Sequence, residues 1–90
     1  MLRITKTTEP GADAVTLQVE GRVVSEWVDV LERECCKALQ EARTIRLDLG
    51  GVTFIDGRGV ALFRRVGTPR LIVVNCSAFL QDLLRGGYEP

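Results

Sequence analysis

One stretch of this 90-residue chain decides the fold, residues 47–60, which read LDLGGVTFIDGRGV. Its first half alternates apolar and polar side chains, and it then turns apolar up to Ile55, as in a strand that buries one face. Asp56 follows directly, and the glycine-bearing segment 57–59 leads into a second apolar run. An aspartate ahead of a helical pattern is a favourable N-cap, and glycines permit a tight turn. The stretch therefore predicts a strand, a short turn and a helix.

The N-terminal half predicts a hairpin followed by the clearest helix of the chain. Residues 15–20 alternate apolar and polar side chains, and a Pro-Gly turn separates them from a shorter, partly alternating stretch at 2–7. Gly21 is expected to break or bend the second strand. Ser25 is expected to cap the helix, whose apolar positions recur every three or four residues and include Cys35.

The C-terminal half predicts a short helix, a strand and a last helix. The helix after Asp56 is expected to end around residues 67–69, after two to three turns. The unbroken apolar run at 71–74 suits a strand that is covered on both faces. Ser77 is expected to cap a final helix that stops at residues 86–87.

These elements follow the order β-β-α-β-α-β-α, which is typical of an α/β fold with parallel strand pairs. We predict one domain over residues 1–90, with a mixed sheet of four to five strands and helices mainly on one face. Its core is expected to contain one set of apolar side chains from strands and helices: Val28, Leu31, Leu39, Leu47, Leu49, Phe63, Ile72, Val73 and Leu83.

Composition disfavours several classes of function. Twelve Lys and Arg balance twelve Asp and Glu, so the formal net charge is zero, which argues against nucleic acid as a partner. The chain has no histidine, which removes His-assisted nucleophilic catalysis and every His-bearing metal site. No apolar run is long enough for direct membrane insertion. We therefore expect a protein partner, no catalytic residue, no metal and no cofactor.

The three cysteines, Cys35, Cys36 and Cys76, are expected to be reduced thiols. An odd number without a C-x-x-C pair fits neither a disulfide framework nor a zinc site. Residues 1–6 lack the apolar core of a signal peptide. Because free thiols are typical of reducing compartments, the sequence predicts a cytoplasmic protein.

The candidate site is Asp56, Gly57, Arg58 and Gly59, because sites of α/β sheets lie where strands pass into helices. A dinucleotide fingerprint would need Gly or Ala at the position of Leu62, and a phosphate-binding loop would need a G-K-[ST] ending. Two interpretations remain open at this point. The segment is either a structural turn in which the aspartate only caps the helix, or a loop that binds a partner.

Residues 47–60 resemble the signature of STAS domains, the fold of the anti-sigma factor antagonists. In that signature a strand of pattern D-L-S/G-x-V-x-F-I-D leads into D-S-S/T-G and a helix. Residues 15–24 are similar to the family's strand that ends in L-x-G-x-L/V. Residues 71–87 resemble its closing strand, its Ser-capped helix and its glycine-bearing tail.

The resemblance implies a bacterial regulatory module that docks to another protein, often a GHKL-type anti-sigma factor kinase, through segment 56–59 and the following helix. Arg58 occupies the position where the switching members carry a phosphorylated serine or threonine, so we expect no phosphorylation there. Either the chain is a constitutively docked antagonist, or its partner presents acids to Arg58, or this arginine has no role. The alternative is a STAS-type accessory subunit of a membrane lipid or solute transport complex.

Overall fold

The computed structural model of the protein describes residues 2–66 and 69–87. It shows a mixed four-stranded sheet and three α-helices in the order that the sequence predicts. The elements are β1 (Leu2–Glu9), β2 (Ala14–Val23), α1 (Glu26–Glu41), β3 (Thr44–Ile55), α2 (Gly57–Arg65), β4 (Leu71–Val74) and α3 (Ala78–Asp82). A 3-10 turn, Pro10–Ala12, joins the first two strands, and α3 continues into a π-helical segment, Leu83–Gly87. The expected end of α2 falls partly outside the described residues, since it involves positions 67 and 68.

The strands lie in the order β1-β2-β3-β4, with an antiparallel β1–β2 pair and two parallel pairs. In this register Leu17 of β2 lies beside Leu47 of β3, which in turn lies beside Val73 of β4. The alternating apolar residues of neighbouring strands therefore share one face of the sheet. Leu47 and Leu49 are fully buried on that face, which confirms the predicted register.

The core lies between this face and the helices. Among the described residues every buried side chain is apolar, so no charged group loses its hydration in the core. Val28, Leu31 and Cys35 of α1 point into the core, while the neighbouring Cys36 is exposed, as the helical spacing predicts. Of the other predicted core residues, Leu39, Phe63 and Leu83 are half-buried against the core.

The strand predicted at residues 71–74 is present as β4, but its predicted burial is wrong. Ile72 is 45% exposed and Val73 is 37% exposed, although both were expected in the core. Among the described residues β4 is an edge strand and pairs only with β3, from Leu71 beside Ile45 to Val74 beside Asp48. A short apolar run has the same pattern in a central strand and in an edge strand, so the sequence does not separate the two.

Two irregularities in the β2–β3 pairing determine how the C-terminal ends of these strands meet, where the candidate site lies. Between Gln18 and Glu20, and again between Gly21 and Arg22, β3 has one more residue than β2. Gly21 adopts a positive φ of 106°, so the predicted bend is present, although β2 continues beyond it. Such bulges increase local twist. They bring the last residues of the two strands, Val23 and Ile55, side by side.

Candidate functional site

The carboxylate of Asp56 joins the two chain segments that follow the C-terminal ends of β2 and β3. Its Oδ1 accepts a hydrogen bond of 2.9 Å from the backbone N–H of Gly59, which confirms the predicted cap of α2. Its Oδ2 accepts a second hydrogen bond of 2.9 Å from the backbone N–H of Ser25, at the start of α1. The backbone N–H of Asp56 donates to the carbonyl of Val23 at 3.1 Å. Asp56 therefore caps α2 and also links the β3–α2 junction to the β2–α1 junction.

The predicted capping role of the Ser25 side chain is wrong. Ser25 occupies the N-cap position of α1, but its side chain makes no capping hydrogen bond. Its backbone has a φ of 51°, which is uncommon for a residue with a side chain. This conformation accompanies the hydrogen bond from the Ser25 N–H to the Asp56 carboxylate. The N–H groups of Trp27 and Val28, which a side-chain cap would serve, donate to the backbone carbonyls of Val24 and Ser25.

The two glycines of the segment differ in their surroundings. Gly59 is buried, and a Cβ atom there would lie 2.6 Å from Ile55 Cγ2 and 3.0 Å from the carbonyl oxygen of Val23. The first turn of α2 thus approaches the strand ends so closely that it leaves no space for a side chain. Gly57 is exposed, and a Cβ atom there would meet nothing within 4 Å. Position 57 tolerates a side chain, whereas position 59 does not.

Arg58 is exposed and lies beside α1. Its Nη2 lies 3.6 Å from Oδ2 of Asp29, and the two side chains are 60% and 59% exposed. Exposed ion pairs of this kind contribute about 0–1 kcal/mol and are screened by salt. A second pair joins the same helices, with Nη2 of Arg65 at 3.3 Å from Oε1 of Glu32. Arg58 and Arg65 therefore contact α1 through weak pairs that another acid can replace.

The structure brings all four predicted site residues together, but not as a loop. Gly57, Arg58 and Gly59 form the first turn of α2, and only Asp56 precedes the helix. Because Gly59 is buried and Asp56 is half-buried with two bonded oxygens, the exposed surface of the segment is Gly57 and Arg58.

Asp29 is the residue of this site that the sequence analysis did not identify. In the sequence, an acid in the first turn of a helix indicates only a favourable local interaction with the helix dipole. The proximity of Asp29 to Arg58 depends on how α1 packs against α2. Many helices carry a charged residue in the first turn, so the sequence does not indicate which of these residues form an ion pair.

The exposed side of α2 forms a basic surface, which we call the arginine face: Arg58, Ala61, Arg64 and Arg65. The helix contains three arginines and no acid. Within residues 2–66 and 69–87, no group of three or more Cys, Asp or Glu side chains is arranged to hold a metal ion. The site offers guanidinium groups and a helix N-terminus, which bind carboxylates and other anions.

No sequence model of a protein family matches the chain, and no curated protein matches it in sequence. Solved structures do match. The anti-sigma factor antagonist SpoIIAA in its unphosphorylated form is 18% identical, with a TM-score of 0.65 over 97% of this chain and 84% of its own. An anti-sigma factor antagonist from Mycobacterium paratuberculosis is 14% identical, with a TM-score of 0.68 over 96% of this chain and 79% of its own.

A third structure extends this similarity. The STAS domain of an anti-sigma factor antagonist from Rhodobacter sphaeroides is 18% identical, with a TM-score of 0.57 over 82% of this chain and 86% of its own. The chain therefore has a STAS-like fold, as the resemblance in its sequence predicted. None of the helices in the described part of the chain is long and apolar enough to cross a membrane.

Proposed function

We propose that this protein is a non-catalytic regulatory module that binds another protein as anti-sigma factor antagonists do, but without a phosphorylation switch. The observation that carries the proposal is the placement of Arg58. It is exposed on the first turn of α2, in a segment that Asp56 ties to the neighbouring junction. The similarity to antagonist structures along most of the chain supports the same class of function.

The proposed loss of the switch follows from the chemistry of position 58. A phosphate on a serine or threonine adds a charge of about −1.5 to −2 and changes how a partner meets the helix N-terminus. Arginine has no hydroxyl group to accept a phosphate, and its positive charge is permanent. Binding through this surface is therefore constitutive and does not respond to ATP through modification of this chain.

The proposed partner is a GHKL-type anti-sigma factor kinase in the bacterial cytoplasm. A protein partner is supported by the zero formal net charge, which disfavours nucleic acid. The proposed contact surface consists of Gly57 and Arg58, with Asp56 and Gly59 as the residues that hold the segment in place.

Affinity capture from the native host tests this proposal. The wild-type chain is compared with Arg58→Asp and with the matched control Arg3→Asp, which makes the same charge change at an exposed position of β1. We expect mass spectrometry to find a GHKL-fold ATPase with the wild type and the control, and at least tenfold less with Arg58→Asp. Equal recovery with all three chains would exclude this surface. Recovery of membrane transport subunits would instead favour an accessory role.

A second experiment asks whether only the acceptor residue has changed. Arg58→Ser places a hydroxyl group in a D-x-S-G sequence, and the captured kinase is then incubated with this variant and ATP. We expect phosphate on the introduced serine, because the cap by Asp56 and the close approach of Gly59 do not involve the side chain at position 58. An unmodified serine in a folded variant that still binds the kinase would show that the docking geometry also differs.

A further inference from the structure

We propose that the arginine face binds an acidic helix of the partner protein, with carboxylates that repeat over about two helical turns. This inference rests on the proposed function, because it specifies the partner surface that meets the same site. It is carried by the spacing of Arg58 and Arg65, by the small residue between them and by the weakness of their internal pairs.

The spacing defines the repeat of the partner. Arg58, Ala61 and Arg65 lie at i, i+3 and i+7, so they follow one stripe of α2. Seven residues correspond to a rise of about 10.5 Å along a helix. Carboxylates at i and i+7 of a partner helix have the same separation, so each guanidinium group meets one acid. Arg64 adds a third positive charge beside the stripe.

The middle of the stripe allows a close approach. Ala61 is exposed and small, while Val60 and Leu62 on either side of it in sequence are buried against the core. Helices that pack against each other have axes about 8–10 Å apart, at the short end where side chains are small. A helix can therefore lie along α2 while the longer arginine side chains reach its acids from both ends.

The internal partners of these arginines leave them available. Both ion pairs to α1 are single contacts, at 3.6 Å between the exposed Arg58 and Asp29 and at 3.3 Å between the exposed Arg65 and the half-buried Glu32. In the part of the chain that the structure describes, Arg64 has no acidic side chain within ion-pair distance. Arg58 and Arg65 each meet one acid of α1, and both oxygens of the Asp56 carboxylate accept backbone N–H groups, so Arg64 supplies the remaining positive charge of the arginine face. A partner carboxylate can replace the internal acid at little cost.

Asp29 and Glu32 also favour a helix over nucleic acid. They lie along α1 next to the arginine face, so a continuous phosphate backbone that covered all three arginines would meet these two carboxylates. A helix with acids on one stripe places its negative charge on the arginines and presents neutral or basic residues to α1. Complementary patterns of this kind give specificity.

The test uses two synthetic alanine-based helical peptides, one with glutamates at i, i+3 and i+7 and one with glutamines at the same positions. Each is titrated into the ¹⁵N-labelled full chain at 50 mM NaCl. We expect the glutamate peptide to shift the amide resonances of Gly57–Arg65, and the glutamine peptide to bind at least tenfold more weakly. At 300 mM NaCl the shifts from the glutamate peptide should decrease, because the contacts are screened.

Two charge-neutralising variants control for location. Arg64→Gln/Arg65→Gln should weaken binding of the glutamate peptide at least tenfold, whereas Arg3→Gln, on the opposite edge strand, should leave it unchanged. Thermal melts verify that the variants are folded. Equal binding of both peptides, shifts outside α2, or no shift at millimolar peptide would overturn the inference. So would tighter binding of a 12-base-pair DNA duplex or of anionic phospholipid vesicles at the same residues.

Failure of this inference and failure of the proposed function give different results. If the glutamate peptide does not bind but capture of the kinase still depends on Arg58, the acidic-helix inference fails and the proposed function stands. If the peptide binds the arginine face but no GHKL-fold ATPase is captured, the partner class of the proposed function is wrong. If the glutamate peptide does not bind and no GHKL-fold ATPase is captured, both proposals are wrong.

Discussion

Replacing Asp56 by alanine removes two hydrogen bonds at once, and the structure separates their contributions. Loss of the N-cap bond to Gly59 N costs about 0.5–2 kcal/mol. The bond from Ser25 N to the carboxylate is exposed, so its loss adds about 1 kcal/mol, the typical net value for a hydrogen bond and less than for a buried bond to a charged group. The expected decrease in the free energy of unfolding is about 1.5–3 kcal/mol. A chain of this length has a total stability of roughly 5–13 kcal/mol, so the decrease is large.

Asp56→Asn gives a matched intermediate. The amide oxygen can still accept from Gly59 N, and asparagine is about as good a cap as aspartate, but the amide nitrogen cannot accept from Ser25 N. We expect Asp56→Asn to cost about 1 kcal/mol, roughly the cost of the Ser25 bond alone. In hydrogen exchange, the Ser25 amide should lose protection in both variants, and the Gly59 amide only in Asp56→Ala.

Urea unfolding followed by circular dichroism measures these differences. Asp82→Ala serves as the control, because Asp82 is an exposed acid in the last turn of α3, where the helix dipole does not favour it. The free energy of unfolding of Asp82→Ala should differ from that of the wild type by less than about 0.5 kcal/mol. A loss below about 0.5 kcal/mol in Asp56→Ala, or an equal loss in the Ala and Asn variants, would refute the assigned role of the carboxylate.

The close packing of α2 and β3 and the buried Cys35 thiol determine how the protein responds to other changes. Gly59→Ala should destabilise the fold by about 1–3 kcal/mol through the 2.6 Å approach to Ile55, whereas Gly57→Ala, which meets nothing within 4 Å, should be neutral or stabilise by up to about 1 kcal/mol; equal effects in urea unfolding would contradict the close approach. Leu47→Ala should cost about 2–5 kcal/mol in the same assay, because Leu47 is fully buried in the central region of the sheet, and a loss below about 1 kcal/mol would show that β3 is not central. Burial, with smaller effects of Cys36, Glu34 and Glu32, raises the pKa of the Cys35 thiol to about 12. The unfolded chain therefore releases this proton at lower pH than the folded chain, and stability should fall by up to about 1.4 kcal/mol per pH unit from about pH 9 towards pH 12. Urea titrations from pH 8 to 10 should show this slope reduced in Cys35→Ala, and an unchanged slope would be evidence against the buried thiol.

The alternation in β2 and β3, the apolar stripe of α1 and the cap by Asp56 were all predictable from the sequence. Each depends on residues at most a few positions apart, whose spacing decides which side chains share a face or which N–H group a carboxylate reaches. An α/β fold with parallel strand pairs was likewise predictable, because the order of strands and helices limits the possible connections, and the resemblance of residues 47–60 to the family signature implied the STAS-like architecture.

The exposure of β4, the backbone of Ser25 and the pairing of Arg58 with Asp29 were decided only by the tertiary structure. Ile72 and Val73 point to opposite faces of the sheet and are both exposed, so neither face of β4 is fully covered, a fact absent from their own pattern. Ser25 and Asp56 are 31 positions apart in sequence and become bonded because two bulges bring the ends of β2 and β3 together. The spacing of residues along a helix or strand determines which of its faces is buried. Which residues meet at the ends of helices and strands depends on how the whole chain packs. The candidate site consists of residues at such ends, so only the tertiary structure brings them together.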